Sequence, residues 1–436
     1  MAYTGITFGQ LKNQLAERLN DNRQFWPDQE LGLHLQDALR FWNVLTGESR
    51  TAFSLPIQQS NPIWYDLNTV AASPRLCTMT DRDVYLRLTY ALLEAPSNIG
   101  QLTTGQFVSD EIINAVQRKR DEFIFQTSCT STILSLAGAS LVPFPQSVIQ
   151  AFRAYWLPNA IKSFTLQPNP LFRIDDFAIA AYSPNPGNPG QPLAFSAGAE
   201  APLTAQIIPP PNVSGNVEFI TVQTQAALTQ GNATTLLLPN DFIGALLWGS
   251  LADLLSQSLT AEDPTRAALA KQRYEEYIAL MDVYPFVLAA QSNGVPIMVD
   301  AVENLDTYSP AWRTTVANPG VVGLSGSNLV AFPTNQNMLL NLFMVGNALV
   351  PAADGDFIQL GGEVLDVILD EAQATASFKM GGAEAVSAFQ LHGNIIKLAA
   401  KKNAKIRALS CFRDVLYGRV GRENRAAPKE VSYDQA

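Results

Sequence analysis

The sequence is poor in cysteine, and its cysteines are far apart. Cys77, Cys129 and Cys411 are the three present, and they show no CxxC spacing. This pattern excludes a disulfide framework and a structural zinc site built from paired cysteines. A lone free cysteine usually behaves as a small apolar side chain. We therefore expect the three thiols to be buried.

Histidine and recognisable catalytic motifs are also scarce. His34 and His392 are the two histidines of the chain, and neither lies in a metal-ligand spacing such as HExxH. The sequence has no phosphate-binding loop, no GxGxxG after a predicted strand and no GxSxG turn. Adjacent carboxylates point apart in regular structure, so we interpret them as solvated pairs. These pairs are Asp175/Asp176, Glu275/Glu276 and Asp370/Glu371. The sequence predicts no catalytic residue, no metal site and no cofactor.

The sequence also lacks long apolar runs. Its most apolar windows, 242–259 and 339–353, are interrupted by Asp253 and Pro351, and they are shorter than the ~20 residues that a membrane span needs. The N-terminal residues contain neither a basic stretch nor an apolar one, so no signal peptide is predicted. We expect no membrane contact and a reducing aqueous compartment.

Charge is low for a chain of 436 residues. Charged residues make up 16% and hydrophobic residues 47%, whereas soluble globular proteins carry about 25% charged residues. Asn, Gln, Ser and Thr take the place of the missing charge. Because the cores of protein interfaces are depleted in charge, this composition favours a surface that contacts other proteins. An ordinary neutral enzyme surface is the alternative.

The charge is also unevenly distributed. From Lys397 to the end the chain has ten Lys or Arg and four Asp or Glu, about +6, which leaves about −16 for the first 396 residues. Such an acidic region differs from a surface that binds duplex DNA and would suit a surface past which DNA slides. The alternative is the solvated acidic face that many soluble proteins have.

Basic side chains of this C-terminal region are the predicted partner-binding residues. They would meet DNA phosphates or an acidic protein groove, although a merely solvated helix is the alternative for the first four. The helical candidates are Lys401, Lys402, Lys405 and Arg407, and the candidates in the tail are Arg419, Arg422, Arg425 and Tyr433.

Two stretches of the chain, 26–42 and 107–123, resemble each other. Each has an aromatic residue, an acidic turn and then a predicted helix. Alignment of the two stretches pairs Trp26 with Phe107, Glu30 with Glu111, Leu31 with Ile112, Gln36 with Gln117 and Trp42 with Phe123. Each copy is followed by a polar, β-branched stretch that predicts a hairpin, 50–67 and 130–142. A duplicated unit of this kind is typical of a structural building element.

The pattern of helices and strands predicts an α+β protein in six parts. The fold class is a helical bundle with inserted β-hairpins, followed by a small β-rich region, a long C-terminal helix and an extended tail. The first three predicted parts are a duplicated helix-hairpin domain (1–165), a β-rich insertion or junction with a hairpin over 203–224 (166–239), and a helical hairpin that begins at Asn240 and continues from Asp263 (240–290). The last three are a β-rich and loop region (291–360), a helical pair over 362–378 and 383–416 (361–417), and an extended basic tail (418–436).

Several segments resemble the N-terminal part of structural proteins of tailed bacteriophages. These are LLEAP at Leu92–Pro96, TTGQF at Thr103–Phe107, the helix at Ala115–Cys129, FRAYWL at Phe152–Leu157 and the helix from Leu238. Together with the duplicated helices they resemble the head-tail connector, or adaptor, proteins. The resemblance covers roughly Phe8–Met281 and leaves residues 295–416 unexplained.

The resemblance implies a helical bundle with inserted strands that forms a homo-oligomeric ring, usually of twelve copies, beneath the portal protein. It also implies that the C-terminal segment reaches the portal, that tail or nozzle proteins attach, and that DNA passes through the lumen without sequence-specific binding. We therefore expect a structural virion protein of the neck, made in the host cytoplasm and without enzymatic activity. A tail-tube or nozzle component and a soluble enzyme are the alternatives.

Overall fold

The structure is a computed structural model, which describes residues 5–417 with gaps. The described ranges exclude residue 22 and the segments 58–63, 94–106, 159–168, 175–187, 199–202, 229–232, 258–262, 285–286, 309–320 and 332–337. Within these ranges the chain is a mixed α+β protein. Its residues divide into two compact units: unit 1 comprises 1–46, 275–283 and 350–436, and unit 2 comprises 47–274 and 284–349.

Helices occur in both units. In chain order they are α1 (Phe8–Arg18), α2 (Asp28–Thr46), α3 (Asp81–Ala91), α4 (Ser109–Thr127), α5 (Ile243–Leu255), α6 (Pro264–Val283), α7 (Val302–Tyr308), α8 (Gly362–Ser377), α9 (Gly382–Phe389), α10 (His392–Lys402) and α11 (Arg413–Tyr417). Short 3₁₀ helices span Asn240–Phe242, Phe378–Met380, Ala404–Ala408 and Ser410–Phe412.

All strands of the described residues belong to unit 2. They are β1 (Arg50–Ile57), β2 (Trp64–Asp66), β3 (Thr132–Ala137), β4 (Leu141–Pro143), β5 (Val148–Pro158), β6 (Asn169–Arg173), β7 (Ala194–Ala197), β8 (Thr204–Ile208), β9 (Gly215–Gln223), β10 (Val287–Ser292), β11 (Val295–Ala301), β12 (Val321–Ser325), β13 (Asn328–Ala331) and β14 (Met338–Val345).

Unit 1 is built on helices that bury one apolar face each. The Thr7 hydroxyl accepts from the Gln10 N–H while the Gln10 side chain accepts from the Thr7 N–H, and these two hydrogen bonds form a capping box at the start of α1. Leu11 and Leu15 of α1 and Leu35 of α2 are fully buried. Helix α2 packs against α1, α8 and α10, and α8 packs against α10. The shared apolar faces make this group of helices the core of unit 1.

The two duplicated segments form equivalent helices. Helices α2 and α4 are both 19 residues long, and the aromatic residues at matching positions, Trp26 and Phe107, Trp42 and Phe123, are all buried. Helix α2 belongs to unit 1, whereas α4 belongs to unit 2, where it packs against α3 and α5. The helical repeat is confirmed, and the predicted arrangement of both copies in one bundle is not.

The strands of unit 2 form two seven-stranded sheets. Sheet A has the order β1-β14-β10-β11-β12-β13-β2, and sheet B has the order β3-β9-β5-β6-β7-β8-β4. In sheet B, Leu134 of β3 and Val142 of β4 pack into the same core although their strands stand at opposite ends of the order. Sheet B is therefore curled around an apolar interior.

Trp156 fills the interior of sheet B because two glycines leave room for its ring. A Cβ atom at Gly138 would lie 2.2 Å from the Trp156 ring, and one at Gly215 would lie 2.6 Å from the Leu157 carbonyl oxygen. Any side chain at these positions would displace the ring or the backbone. A second core joins sheet B to sheet A through Tyr155, Ile220 and α7.

The three predicted hairpins are wrong. Strands β1 and β2, expected to pair across 50–67, stand at opposite edges of sheet A, and their predicted turn lies outside the described residues. Strands β3 and β4 stand at opposite ends of sheet B, while β8 pairs with β7 and β4, and β9 pairs with β3 and β5. Sequential strands were expected to pair because short loops favour local contacts. Here β1, β2, β3, β4 and β9 pair with strands that are distant in sequence, whereas β8 pairs with its predecessor β7 and with the distant β4.

The predicted C-terminal helix 383–416 is also wrong. Residues Gly382–Tyr417 form α9, α10, two 3₁₀ helices and α11. Asn403 ends α10 with φ −126° and ψ 105°, and its side chain donates to the Leu45 carbonyl and accepts from the Lys405 N–H. These tertiary and local hydrogen bonds replace the next helical turn. The predicted helix 362–378 is confirmed by α8, and the predicted helical hairpin by α5 and α6, although Asn240 binds the Thr78 and Met79 N–H groups instead of capping.

Candidate interaction surfaces

A groove lined by cations lies at the C-terminal end of the described part of unit 1. It encloses about 440 Å³ between α10, the 3₁₀ helix Ala404–Ala408 and α11. We call it the basic groove. The residues that line it are Lys397, Ala400, Lys401, Arg407, Leu416 and Tyr417.

The break at Asn403 creates the basic groove. Because α10 ends at Lys402, the chain turns back and Arg407 Nε donates to the Ala400 carbonyl oxygen at 2.7 Å. This bond satisfies one of the free carbonyl groups at the helix C-terminus and holds the guanidinium beside α10. Lys401 also lies in the last turn of α10, where the helix dipole favours a positive charge.

The basic groove has a strong excess of positive charge. Residues 397–417 contain six Lys or Arg and one Asp. Within the described residues, Lys397, Lys401 and Arg407 form no ion pair. One side of the groove is apolar, because Leu416 and Tyr417 line it, and Tyr417 is 60% exposed. The groove therefore combines unneutralised cations with an accessible aromatic surface.

The structure brings together two of the four helical candidates. Lys401 and Arg407 line the basic groove. Lys402 instead lies 3.9 Å from a Glu363 carboxylate oxygen and 5.2 Å from the centre of the Trp42 ring. Lys405 is exposed and does not line the groove. The tail candidates Arg419, Arg422, Arg425 and Tyr433 lie outside the described residues.

Four residues of the basic groove were not among the predicted binding residues, namely Lys397, Ala400, Leu416 and Tyr417. Lys397 is one helical turn before Lys401, a spacing that places both on one face of α10. That spacing was visible in the sequence. Leu416 and Tyr417 were not recognisable as groove residues, because the predicted continuous helix would have carried them far from Lys397.

A second candidate surface is the outer face of sheet A, which carries no charge over ten positions. Leu339 and Phe343 on β14 and Met298 on β11 are 55%, 42% and 47% exposed. The register places these positions on the face opposite the buried core of the sheet. We call this the uncharged sheet face; its residues are Ala52, Ser54, Pro56, Ala289, Gln291, Pro296, Met298, Leu339, Asn341 and Phe343. Exposed apolar sheet surface of this kind is typical of protein contact sites.

A buried charge cluster lies inside unit 1. His392, the first residue of α10, has its Nδ1 2.6 Å from a Glu371 carboxylate oxygen and its Nε2 2.9 Å from a Glu276 oxygen. All three residues are at most 2% exposed, so the prediction that Glu276 and Glu371 are solvated is wrong. Since both partners are carboxylates, two hydrogen bonds require either an imidazolium ring or a protonated carboxyl group. The cluster thereby joins α6, α8 and α10.

The His392 cluster does not have the shape of a metal site. The two ring nitrogens point in different directions, so the carboxylates bound to them do not converge on one point. Among the described residues, no group of three or more His, Cys, Asp or Glu is placed to hold a metal ion. No helix of the described residues is both long enough and apolar enough to cross a membrane.

Comparison with known proteins relates the middle of the chain to a phage family. Residues 91–294, just under half of the chain, match the family model described as SU10 adaptor protein. The match spans α4, all of sheet B, α5, α6 and β10. It supports a phage adaptor-type protein. No curated protein matches the chain.

Proposed function

We propose that the chain is a structural virion protein that forms a ring-shaped head-tail connector beneath the portal, extends the DNA channel and provides the attachment site for the tail. It acts through protein contacts and carries no catalytic site or cofactor. Its partners are further copies of itself, the portal and tail proteins, and DNA passes through the lumen without sequence-specific binding.

The observation that carries this proposal is the match of residues 91–294 to the SU10 adaptor family. It agrees with the resemblance seen in the segments 92–96, 103–107, 115–129 and 152–157. The net charge of about −16 over the first 396 residues also supports the proposal, because an acidic channel wall repels DNA and lets it slide.

The uncharged sheet face supports a role in assembly. Its exposed apolar side chains, Leu339, Phe343 and Met298, bury surface only when another molecule covers them. A stable protein interface has an apolar core depleted in charge, which is the composition of this face.

Electron microscopy of the purified full chain tests the proposal. We expect closed rings, alone or after mixing with the portal protein of the same phage, and we expect the chain to be present in purified virions at the neck. A compact monomer that neither binds portal rings nor occurs in virions would overturn the proposal and favour a soluble enzyme.

A tail-tube or nozzle component is the second candidate, and one observation favours it. Most of the uncharged sheet face lies on β1, β11 and β14, outside the matched residues 91–294. A surface outside the adaptor region would serve contacts that the family match does not account for. Labelling of the chain in virions separates the two candidates, because a connector lies beside the portal and a nozzle component lies at the distal end.

A further inference from the structure

We propose that the basic groove is a docking site for an extended acidic peptide segment of another protein. Carboxylates of the segment pair with Lys397, Lys401 and Arg407, and one apolar side chain of the segment packs on Tyr417. The inference goes beyond the connector role, because it names a site in unit 1, outside residues 91–294, and the chemistry of its ligand.

The size and charge of the basic groove fit such a segment. Its volume of about 440 Å³ lies in the range of sites that enclose a small ligand or a few side chains. Lys397, Lys401 and Arg407 form no ion pair within the described residues, so their charge is available to a ligand. The hydrogen bond from Arg407 Nε to Ala400 holds the guanidinium in place before any ligand binds.

The apolar wall favours a peptide over DNA. Leu416 and Tyr417 offer a surface that gains from covering an apolar side chain, whereas a phosphate backbone carries none. Affinity for duplex DNA comes from many cations that follow the backbone, and the basic groove supplies three. The remainder of the chain, about −16 over residues 1–396, repels a polyanion.

The chain's own tail is a poor occupant. Residues 418–425, which follow the groove directly in sequence, contain three Arg and one Glu. Bringing them to the groove would place like charges together. An acidic segment of a different protein would instead meet the groove and then a further run of basic residues.

Fluorescence anisotropy with the full-length protein tests this proposal. The first probe is a fluorescein-labelled peptide of about a dozen residues, rich in Glu and Asp with one central Phe. The second probe replaces the Phe by Ser, and the third is a labelled DNA duplex of similar total charge. All measurements are made at low ionic strength, where exposed charges interact most strongly.

Three variants locate the binding. The double variant Lys397→Glu/Lys401→Glu reverses two groove charges, and Tyr417→Ala removes the aromatic wall. The matched control Arg82→Glu/Lys271→Glu makes the same change in net charge at exposed positions of unit 2. Far-UV circular dichroism and the melting temperature check that each variant is folded, and Lys397→Gln/Lys401→Gln replaces the double variant if charge reversal prevents folding.

We expect the Phe peptide to bind more tightly than the duplex and the groove double variant to weaken its binding about tenfold, with less than about a twofold effect of the control. Tyr417→Ala should weaken the Phe peptide and leave the Ser peptide unchanged. Tighter binding of the duplex, or peptide binding that is insensitive to the groove variants, would overturn the proposal. The outcome is separate from the connector role, since the assay needs neither rings nor virions.

Discussion

At the scale of single residues, the side chains with the largest energetic consequences are those with buried charge. Two examples lie among the described residues of unit 1. Lys379 Nζ lies 2.7 Å from a Glu30 carboxylate oxygen with both side chains at most 4% exposed. His392 lies between Glu276 and Glu371. Buried charges are tolerated only when they are paired, and removal of one partner leaves the full desolvation cost of the other.

The variant His392→Leu should therefore be strongly destabilising. It leaves the Glu276 and Glu371 carboxylates buried without the imidazole, and we expect a loss of about 3–5 kcal/mol in the free energy of unfolding. Urea denaturation measures the loss. The matched control is His34→Leu, because the side chain of His34 is 17% exposed and its contact with Glu30 is long, 3.4 Å; there we expect less than about 1 kcal/mol. Similar losses in both variants would contradict the role of the cluster.

The cysteines give a second prediction at this scale. Cys77 and Cys129 are buried as predicted, whereas Cys411 is only partly buried. Loss of solvent contact raises the pKa of the Cys77 and Cys411 thiols to about 12 and that of the Cys129 thiol to about 11. An unfolded thiol ionises near pH 8.5. At about that pH we expect the folded protein to react far more slowly with a thiol reagent such as DTNB than the urea-unfolded protein, because only the thiolate reacts.

The raised thiol pKa values also give stability a pH dependence. A raised pKa means that the folded state holds the proton more tightly, so this contribution is fully present below the pKa of the unfolded thiol. It is lost as the pH rises through about 11 to 12.

The control for the DTNB experiment is a variant in which the three cysteines are replaced by serine or alanine. A cysteine that reacts equally fast in both states would show that its thiol is accessible.

At the scale of elements, the chain uses one helical sequence pattern twice in different surroundings. Helices α2 and α4 each begin two residues after a buried aromatic, Trp26 or Phe107, and each buries a second aromatic fifteen residues into the helix, Trp42 or Phe123. The second aromatic contacts different neighbours: Lys402 lies over the Trp42 ring, whereas Phe123 packs near Phe242 and Tyr274.

The equivalent aromatics should matter to a similar degree. Because both are at most 1% exposed, replacement of Trp42 or Phe123 by Ala should cost about 3–5 kcal/mol of unfolding free energy. Phe125→Ala is the control within α4, since Phe125 is 46% exposed and should change stability by about 0.5 kcal/mol at most. Denaturant titration followed by far-UV circular dichroism compares the three. An unchanged midpoint for Trp42→Ala or Phe123→Ala would show that the site is not enclosed.

At the scale of the whole molecule, charge is segregated along the sequence. The acidic majority of the chain is followed by a basic end that begins on α10 and continues through the tail. The tail 419–436 has few apolar residues, among them Val420, Val431 and Tyr433. Such a composition is typical of segments that gain order when they bind a partner.

Deletion of residues 419–436 tests the role of the tail. We propose that it lies along the portal or a neighbouring subunit, with Arg419, Arg422 and Arg425 paired to carboxylates and Tyr433 as an apolar anchor. The truncated protein should then keep its melting temperature and lose attachment to DNA-filled heads, measured as the yield of infectious particles. The control is a variant in which a neutral linker that carries the basic residues replaces the deleted tail. A normal yield from the truncated chain would show that the tail is dispensable.

The sequence by itself determined the local structure and the broad class of this protein. Contacts within a few residues fix the helices. The sequence shows them as the capping residues Thr7 and Thr80, the spacing of Leu11 and Leu15, and Pro264 at the start of α6. The same local patterns carried the resemblance of 92–157 to phage adaptors, which agrees with the family match over 91–294. Likewise, the concentration of basic residues from Lys397 onward is visible in the order of residues along the chain.

Only the tertiary structure decided how the strands pair and where the chain turns. Strand β1 pairs with β14, almost three hundred residues away, and alternation of apolar residues predicts a strand without naming its neighbour. Asn403 ends α10 because its side-chain amide donates a hydrogen bond to the Leu45 carbonyl oxygen. This bond joins parts of unit 1 that are distant in sequence. The basic groove and the His392 cluster depend on such contacts, since local patterns define elements while the free energy that places them comes from packing between elements.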